Sequence, residues 1–280
     1  DNGMGNKNWI RIPGVPFTIQ PSEFVKITFI ITFSKHIDAV KGKINNIKNV
    51  LLLAAHAGVI VGLVLMTKDL GSALVFLAII AIMLYCGGLS LWYFAGGIAL
   101  IAAASPILWS HMALYQQNRI IYGFSPELDP LNAGYQALLS RSAIASGGVF
   151  GAGMFGGNVY PPLPQKESDF IFAVVCEKFG FVGGMAYIIL MSVMVVRLLI
   201  LARRARKDYG ALICVGVCAL FVAQSLENIG MCLALLPVVG ITLPFCSYGG
   251  SSMLAVYIYL GFIMSISSHN RKYYFEREKS

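Results

Sequence analysis

Apolar runs long enough to cross a lipid bilayer recur along this chain, and they constrain its fold more than any motif does. A hydrocarbon core about 30 Å thick is crossed by about 17 to 25 helical residues. Seven such runs are read, at roughly 17–34, 50–67, 70–87, 91–109, 170–201, 210–227 and 250–268. All seven are expected to be helices, because lipid offers no partner to an open backbone group. Composition excludes the alternative that they are core helices of a soluble domain. Hydrophobic residues make up 57% of the chain, charged residues only 12%, and the mean hydropathy is +0.73, whereas a soluble domain carries about twice that charged fraction. The expected fold is therefore all-α, a polytopic membrane helix bundle that occupies residues 1–280 as one domain. Residues 110–169 form a large extracytoplasmic loop within it.

The basic residues gather in three connections: Lys35, Lys41, Lys43 and Lys48; then Arg203, Arg204, Arg206 and Lys207; then Arg271, Lys272, Arg277 and Lys279. With seven crossings all three fall on one side, which the positive-inside rule makes cytoplasmic, as it does the C-terminus. The net charge of +8 is thus a topology signal, and no nucleic-acid partner is expected. The chain opens with Asp1 on the outer side with no earlier span to carry it there, so it reads as the C-terminal part of a longer protein.

Cys86, Cys176, Cys214, Cys218, Cys232 and Cys246 lie mainly in apolar surroundings without paired metal-ligand spacing, and read as small core residues. His36, His56, His111 and His269 are scattered, with no helical pairing that suggests a ligand set. Glu23 and Lys26 stand three apart on the first span, the spacing of a structural ion pair. Asp69, at the outer start of the third span, either caps that helix or lines a cavity. Glu227 ends the sixth span beside Asn228, a place for a structural hydrogen bond.

Gly, Pro and polar residues return after the fourth span. The stretch SGGVFGAGMFGG, Ser146 to Gly157, is too glycine-rich for an ordinary helix and suits close approach of backbone to a ligand or another segment. At the end of the same loop, QKESDFIF sets Asp169 where polar chain enters an apolar helix. A carboxylate at the membrane edge is expensive without a partner or a task. From the residues alone it is either a helix cap or a working acid/base group.

Eight segments in register resemble one family, the shape, elongation, division and sporulation proteins, the RodA and FtsW group of peptidoglycan polymerases. They are GNKNWI (5–10), QPSEFVKI (20–27), KDLGSA (68–73), YQQNRI (115–120), PELDPLNAGYQ (126–136), SGGVFGAG (146–153), SDFIFAVVCEKFGFVG (168–183) and NIGMCLALLPVVGITLPFCSYGGSS (228–252). The spacing of PELDPLNAGYQ resembles the elongation type, RodA, more than the division type. The resemblance implies a bundle of ten helices, of which this chain holds the fourth to tenth. It also implies an enzyme, a peptidoglycan glycosyltransferase of the bacterial plasma membrane, with its active face extracytoplasmic. Such enzymes join lipid II units by inverting glycosyl transfer and release undecaprenyl pyrophosphate.

On that resemblance Asp169 matches the family's catalytic carboxylate and is expected to take the proton of the attacking sugar hydroxyl. The run LPQKESDF departs from the usual pattern at Gln165 and Glu167, which alters the hydrogen bonding expected around it. Arg119 is the first candidate for the diphosphate, since a guanidinium fork suits it better than an ammonium; Arg141 and Lys166 stand behind it. Trp9 is either an interface anchor or a cavity residue. Ser247 and Ser251, in the small-residue turn SYGGSS, read first as cavity wall and then as substrate contacts, and Asp69 joins them if it lines the cavity. A divalent cation, Mg or Mn, fits a diphosphate leaving group, but no spacing names its ligands, and no organic cofactor is expected. The implied partner is a class B penicillin-binding protein, a transpeptidase. The rival readings are a lipid II flippase or transporter and a non-catalytic scaffold for that transpeptidase.

Overall fold

The computed structural model describes residue 10 and residues 18–112, 114–132, 134–157 and 163–277, leaving aside the side chains of 108, 115, 116, 119 and 270–277. The regular structure of the described chain is helical, with one isolated antiparallel bridge between Ile10 and Ile19. Each of the seven apolar runs forms a helix: α1 Pro21–Val40, α2 Ile47–Met66, α3 Leu70–Cys86, α4 Leu91–His111, α7 Ile171–Arg203, α8 Asp208–Cys232 and α9 Gly250–Arg277. Between α4 and α7 lie two further helices, α5 Leu114–Phe124 and α6 Tyr135–Ser146. Among the described residues four helices are long and apolar enough to cross a membrane on their own: α2, α7, α8 and the Gly250–His269 part of α9.

Local chemistry sets the ends. Pro21 occupies the first turn of α1, where its missing N–H costs nothing. The Asn46 side chain accepts from the Lys48 amide to cap α2. Asp69 caps α3, its two oxygens taking the Ser72 amide and hydroxyl at 2.9 Å each. Of the two roles open to Asp69, the structure shows the cap. The sixth run extends past Glu227 to Cys232, so Glu227 sits inside α8 and does not end it.

The described residues gather into two compact units. The first comprises Asp1–Leu91, Ser192–Ala223 and Gly249–Ser280. Its core is aromatic and aliphatic: Phe29 stacks on Phe33 and meets Phe76 edge-on, and Phe221 lies against Tyr259. Lys26 and Glu23 are buried in this core, 0% and 4% exposed, and form the ion pair their spacing predicts. The Tyr259 hydroxyl donates to the Glu23 carbonyl and ties α9 to α1. His36 and His56, far apart in sequence, meet with their Nδ1 atoms 3.1 Å apart; packing of α1 on α2 makes a pairing that no spacing within one helix could reveal.

The second unit comprises Trp92–Met191 and Gln224–Tyr248. Its key feature is a break in α7 at Gly180, whose φ of 66° and ψ of −162° lie far from helical values. The glycine-rich loop after α6 fills that break. The amides of Ala152 and Gly153 take the carbonyls of Glu177 and Lys178, and the amides of Phe181 and Val182 donate to those of Gly148 and Val149. A broken helix at membrane depth is tolerated only where its freed polar groups are satisfied in this way. The close approach expected of the glycine-rich stretch is therefore to another segment of the same chain.

Candidate functional site

The residues after Pro164 form a tight turn. Gln165, at φ 55°, directs its carbonyl at three successive amides, those of Ser168, Asp169 and Phe170, at 3.2, 2.9 and 3.2 Å. This turn delivers the half-buried Asp169 to the entrance of the first half of α7.

Three consecutive carbonyls of the turn are then fastened to the end of α8 and the loop that follows it. The Glu167 carbonyl accepts from the Tyr248 amide at 2.8 Å. The Ser168 carbonyl accepts from the Ser247 hydroxyl, which itself accepts from the Leu243 amide at 2.7 Å. The Asp169 carbonyl accepts from Asn228 Nδ2 at 2.7 Å, and the same amide group donates to the Ile241 carbonyl at 2.6 Å. Asn228 is fully buried, so one side chain bridges the turn and the loop where water cannot compete.

The Asp169 carboxylate itself faces that loop. A Cβ on Gly240 would stand 3.1 Å from Asp169 Oδ2, and Gly240 has φ 72°. Glycine there leaves room for the carboxylate and adopts a backbone geometry that other residues rarely take. The arrangement is a carboxylate on a rigid, multiply bonded backbone at the mouth of an apolar helix. Its chemistry is that of a positioned proton acceptor or a cation partner.

The other expected site residues fall in different places. Arg141 forms an exposed ion pair with Glu127 at 3.0 Å. Lys166 is half-buried in the same turn as Asp169, three residues before it. The Ser247 hydroxyl is committed to holding the turn. Ser251, in the first turn of α9, is buried, and its hydroxyl finds no hydrogen-bond partner among the described residues. Arg119 lies in α5, but its side chain, like the whole of Trp9, is outside the described residues. Asn228 and Gly240 are the site residues that sequence reasoning passed over. The available signal was an amide side chain at the end of an otherwise apolar span, beside the glutamate that drew attention first.

Among the described residues no group of three or more His, Cys, Asp or Glu side chains is placed to hold a metal ion.

The family model described as Cell cycle protein, covering FtsW, RodA and SpoVE, matches residues 2–272. Peptidoglycan glycosyltransferase MrdB of Escherichia coli K12 is 34% identical over 273 residues, which is 95% of this chain and 72% of that protein. Stage V sporulation protein E of Bacillus subtilis is 33% identical over 271 residues, 95% of this chain and 73% of that protein. Among solved structures, a chain of a peptidoglycan synthase complex that coordinates polymerization and crosslinking superposes with a TM-score of 0.81. That chain is 29% identical, and the match covers 95% of this chain and 74% of it.

Proposed function

This chain belongs to the FtsW, RodA and SpoVE family of cell cycle proteins, and from that premise we propose that it is a membrane-embedded peptidoglycan glycosyltransferase that polymerises lipid II. The observation that carries the mechanism is Asp169, held by its own backbone at the mouth of α7 with its carboxylate beside Gly240. A sugar hydroxyl is a poor nucleophile. Asp169 takes its proton as the new glycosidic bond forms at the anomeric carbon of the neighbouring unit, and undecaprenyl pyrophosphate leaves from the opposite face, inverting the centre. Because Asn228, Ser247 and Tyr248 fix the backbone on both sides of the carboxylate, the base is positioned before substrate arrives, which lowers the entropic cost of reaching the reactive geometry.

Arg119 supplies positive charge to the departing diphosphate. The basic connections face the cytoplasm, which puts the Asp169 end of α7 at the outer surface, where the lipid-linked sugars are presented. The likeness to a chain of a synthase complex supports a penicillin-binding protein of the transpeptidase class as partner.

The test is glycan-strand formation from purified lipid II by the full-length protein with its transpeptidase partner, comparing wild type with Asp169→Asn. Loss of a proton acceptor is expected to lower the rate at least about 100-fold while partner binding and thermal stability are retained. Undiminished polymer from the Asn variant would exclude Asp169 as the base and return the flippase and scaffold readings to the front.

A further inference from the structure

A cavity of about 470 Å³ opens between the second half of α7 and the second half of α9, inside the first unit and away from Asp169 in sequence. Its walls are apolar, with Leu198 and Leu201 on one helix and Ile263 and Met264 on the other. Arg197, Arg204 and Ser267 add the polar groups. The two arginines are seven residues apart, Arg197 within α7 and Arg204 directly after its last residue, about two turns and 10 Å along the helix axis. No carboxylate lines the cavity, and among the described residues neither arginine forms a salt bridge.

The placement resolves into two parts. Arg204 stands just past the end of α7, in the basic connection before α8, while Arg197 lies within the helix. An arginine at that depth buries its methylene stem against apolar side chains and lifts its guanidinium toward the interface. Leu198 and Leu201 lie between the two arginines along α7 and Met194 lies beyond Arg197, so the groove sets a pair of cations along an apolar wall. A free phosphate ion has no use for the apolar floor, and a neutral lipid has none for two guanidiniums. A molecule with a phosphate above a hydrocarbon chain matches both, and basic pockets between membrane helices on the cytoplasmic side suit such headgroups.

We propose that the α7–α9 groove binds an anionic diacyl phospholipid of the cytoplasmic leaflet, its phosphate held by Arg197 and Arg204 and one acyl chain lying along Leu198, Leu201, Ile263 and Met264. The leaflet rests on the orientation adopted under the proposed function; the site itself does not. Bound lipid here braces the inner halves of two helices whose packing leaves a gap.

The experiment is native mass spectrometry of the full chain released from nanodiscs of phosphatidylcholine doped with phosphatidylglycerol. The wild type is expected to retain phosphatidylglycerol over phosphatidylcholine. Arg197→Gln combined with Arg204→Gln should lower that retention about tenfold. The neighbouring pair Arg203→Gln with Arg206→Gln removes the same charge outside the groove and should leave retention unchanged. Replacing both groove arginines by Lys should keep most of it, and Met264→Trp, which narrows the groove at its rim without touching charge, should reduce it. Equal retention in the groove and neighbouring variants overturns the proposal, as does equal binding of the two lipids. Displacement of the lipid by glycerol phosphate alone would make this a free-anion site and overturn the lipid assignment. A wild type that retains phosphatidylglycerol but forms no glycan polymer leaves this proposal standing and sinks the catalytic one, so the two fail separately.

Discussion

At the scale of single residues, the proposed work of Asp169 depends on what restrains it. A carboxylate in a surface turn samples many positions; here the carbonyls on either side of it are bonded to buried donors. Asn228 is the most consequential of these, because its one amide group serves Asp169 and Ile241 together. Asn228→Asp keeps the volume but replaces the donor with an oxygen facing two carbonyls. Leaving those buried acceptors unsatisfied costs about 1–3 kcal/mol, and the turn should loosen with it. The expected outcome is a lower melting temperature in detergent together with polymerisation reduced more than lipid II binding, read as a fall in kcat at nearly constant KM. Wild-type kcat in Asn228→Asp would show that the clamp has no part in positioning the base. Asp169 was legible in the sequence because an ionised group stands out where polar chain meets apolar helix. Asn228 was not, since an amide at the end of a span has no single reading until its two carbonyl partners, 59 and 13 residues away, are brought to it.

At the scale of elements, the spans were readable because hydrophobic length is a local property, and each of the seven runs became a helix. What the polar return after α4 concealed were α5 and α6. Helix α5 is amphipathic, with Leu114, Ile121 and Phe124 exposed and Gln117 bonded to the Trp109 carbonyl; a segment this polar resembles loop when judged by composition. The break in α7 was equally hidden, because FAVVCEKFGFVGG carries no proline and its glycines are common in membrane helices. The break exists because a loop distant in sequence supplies the missing hydrogen bonds. Gly180 is its hinge: a Cβ there would meet the Val149 carbonyl oxygen at 2.3 Å and the Gly151 amide nitrogen at 2.4 Å, at a φ that disfavours side chains. Gly180→Ala is expected to cost more than the roughly 1–3 kcal/mol of backbone strain alone. Its signature should be protease cleavage within residues 147–157 at temperatures where the wild type resists. A variant as resistant as wild type would mean the loop holds its place without the tight fit at Gly180.

At the scale of the whole molecule, burial separates helices that face solvent lipid from one that is enclosed by protein. In the most apolar stretch of α2 only 11% of residues are buried by the rest of the chain, against 67% for α8. An α2 with Leu51, Val59, Leu63 and Met66 exposed would drive aggregation in water; in a bilayer the same surface is simply solvated by hydrocarbon. The proposed orientation assigns the inner face to the turn at Lys41–Lys43 and the helix start near Lys48, and the outer face to Met66, 81% exposed. A cysteine-depleted protein carrying Gly42→Cys or Met66→Cys tests this directly with a membrane-impermeant maleimide, since a Cβ at Gly42 meets nothing within 4 Å. Cys at 66 should label in intact spheroplasts and Cys at 42 only in inverted vesicles. The reverse pattern would turn α7 over with α2, because two crossings, α3 and α4, separate Met66 from the Asp169 turn in the helix order. That would place the Asp169 turn at the inner surface, where it could not act on sugars presented outside.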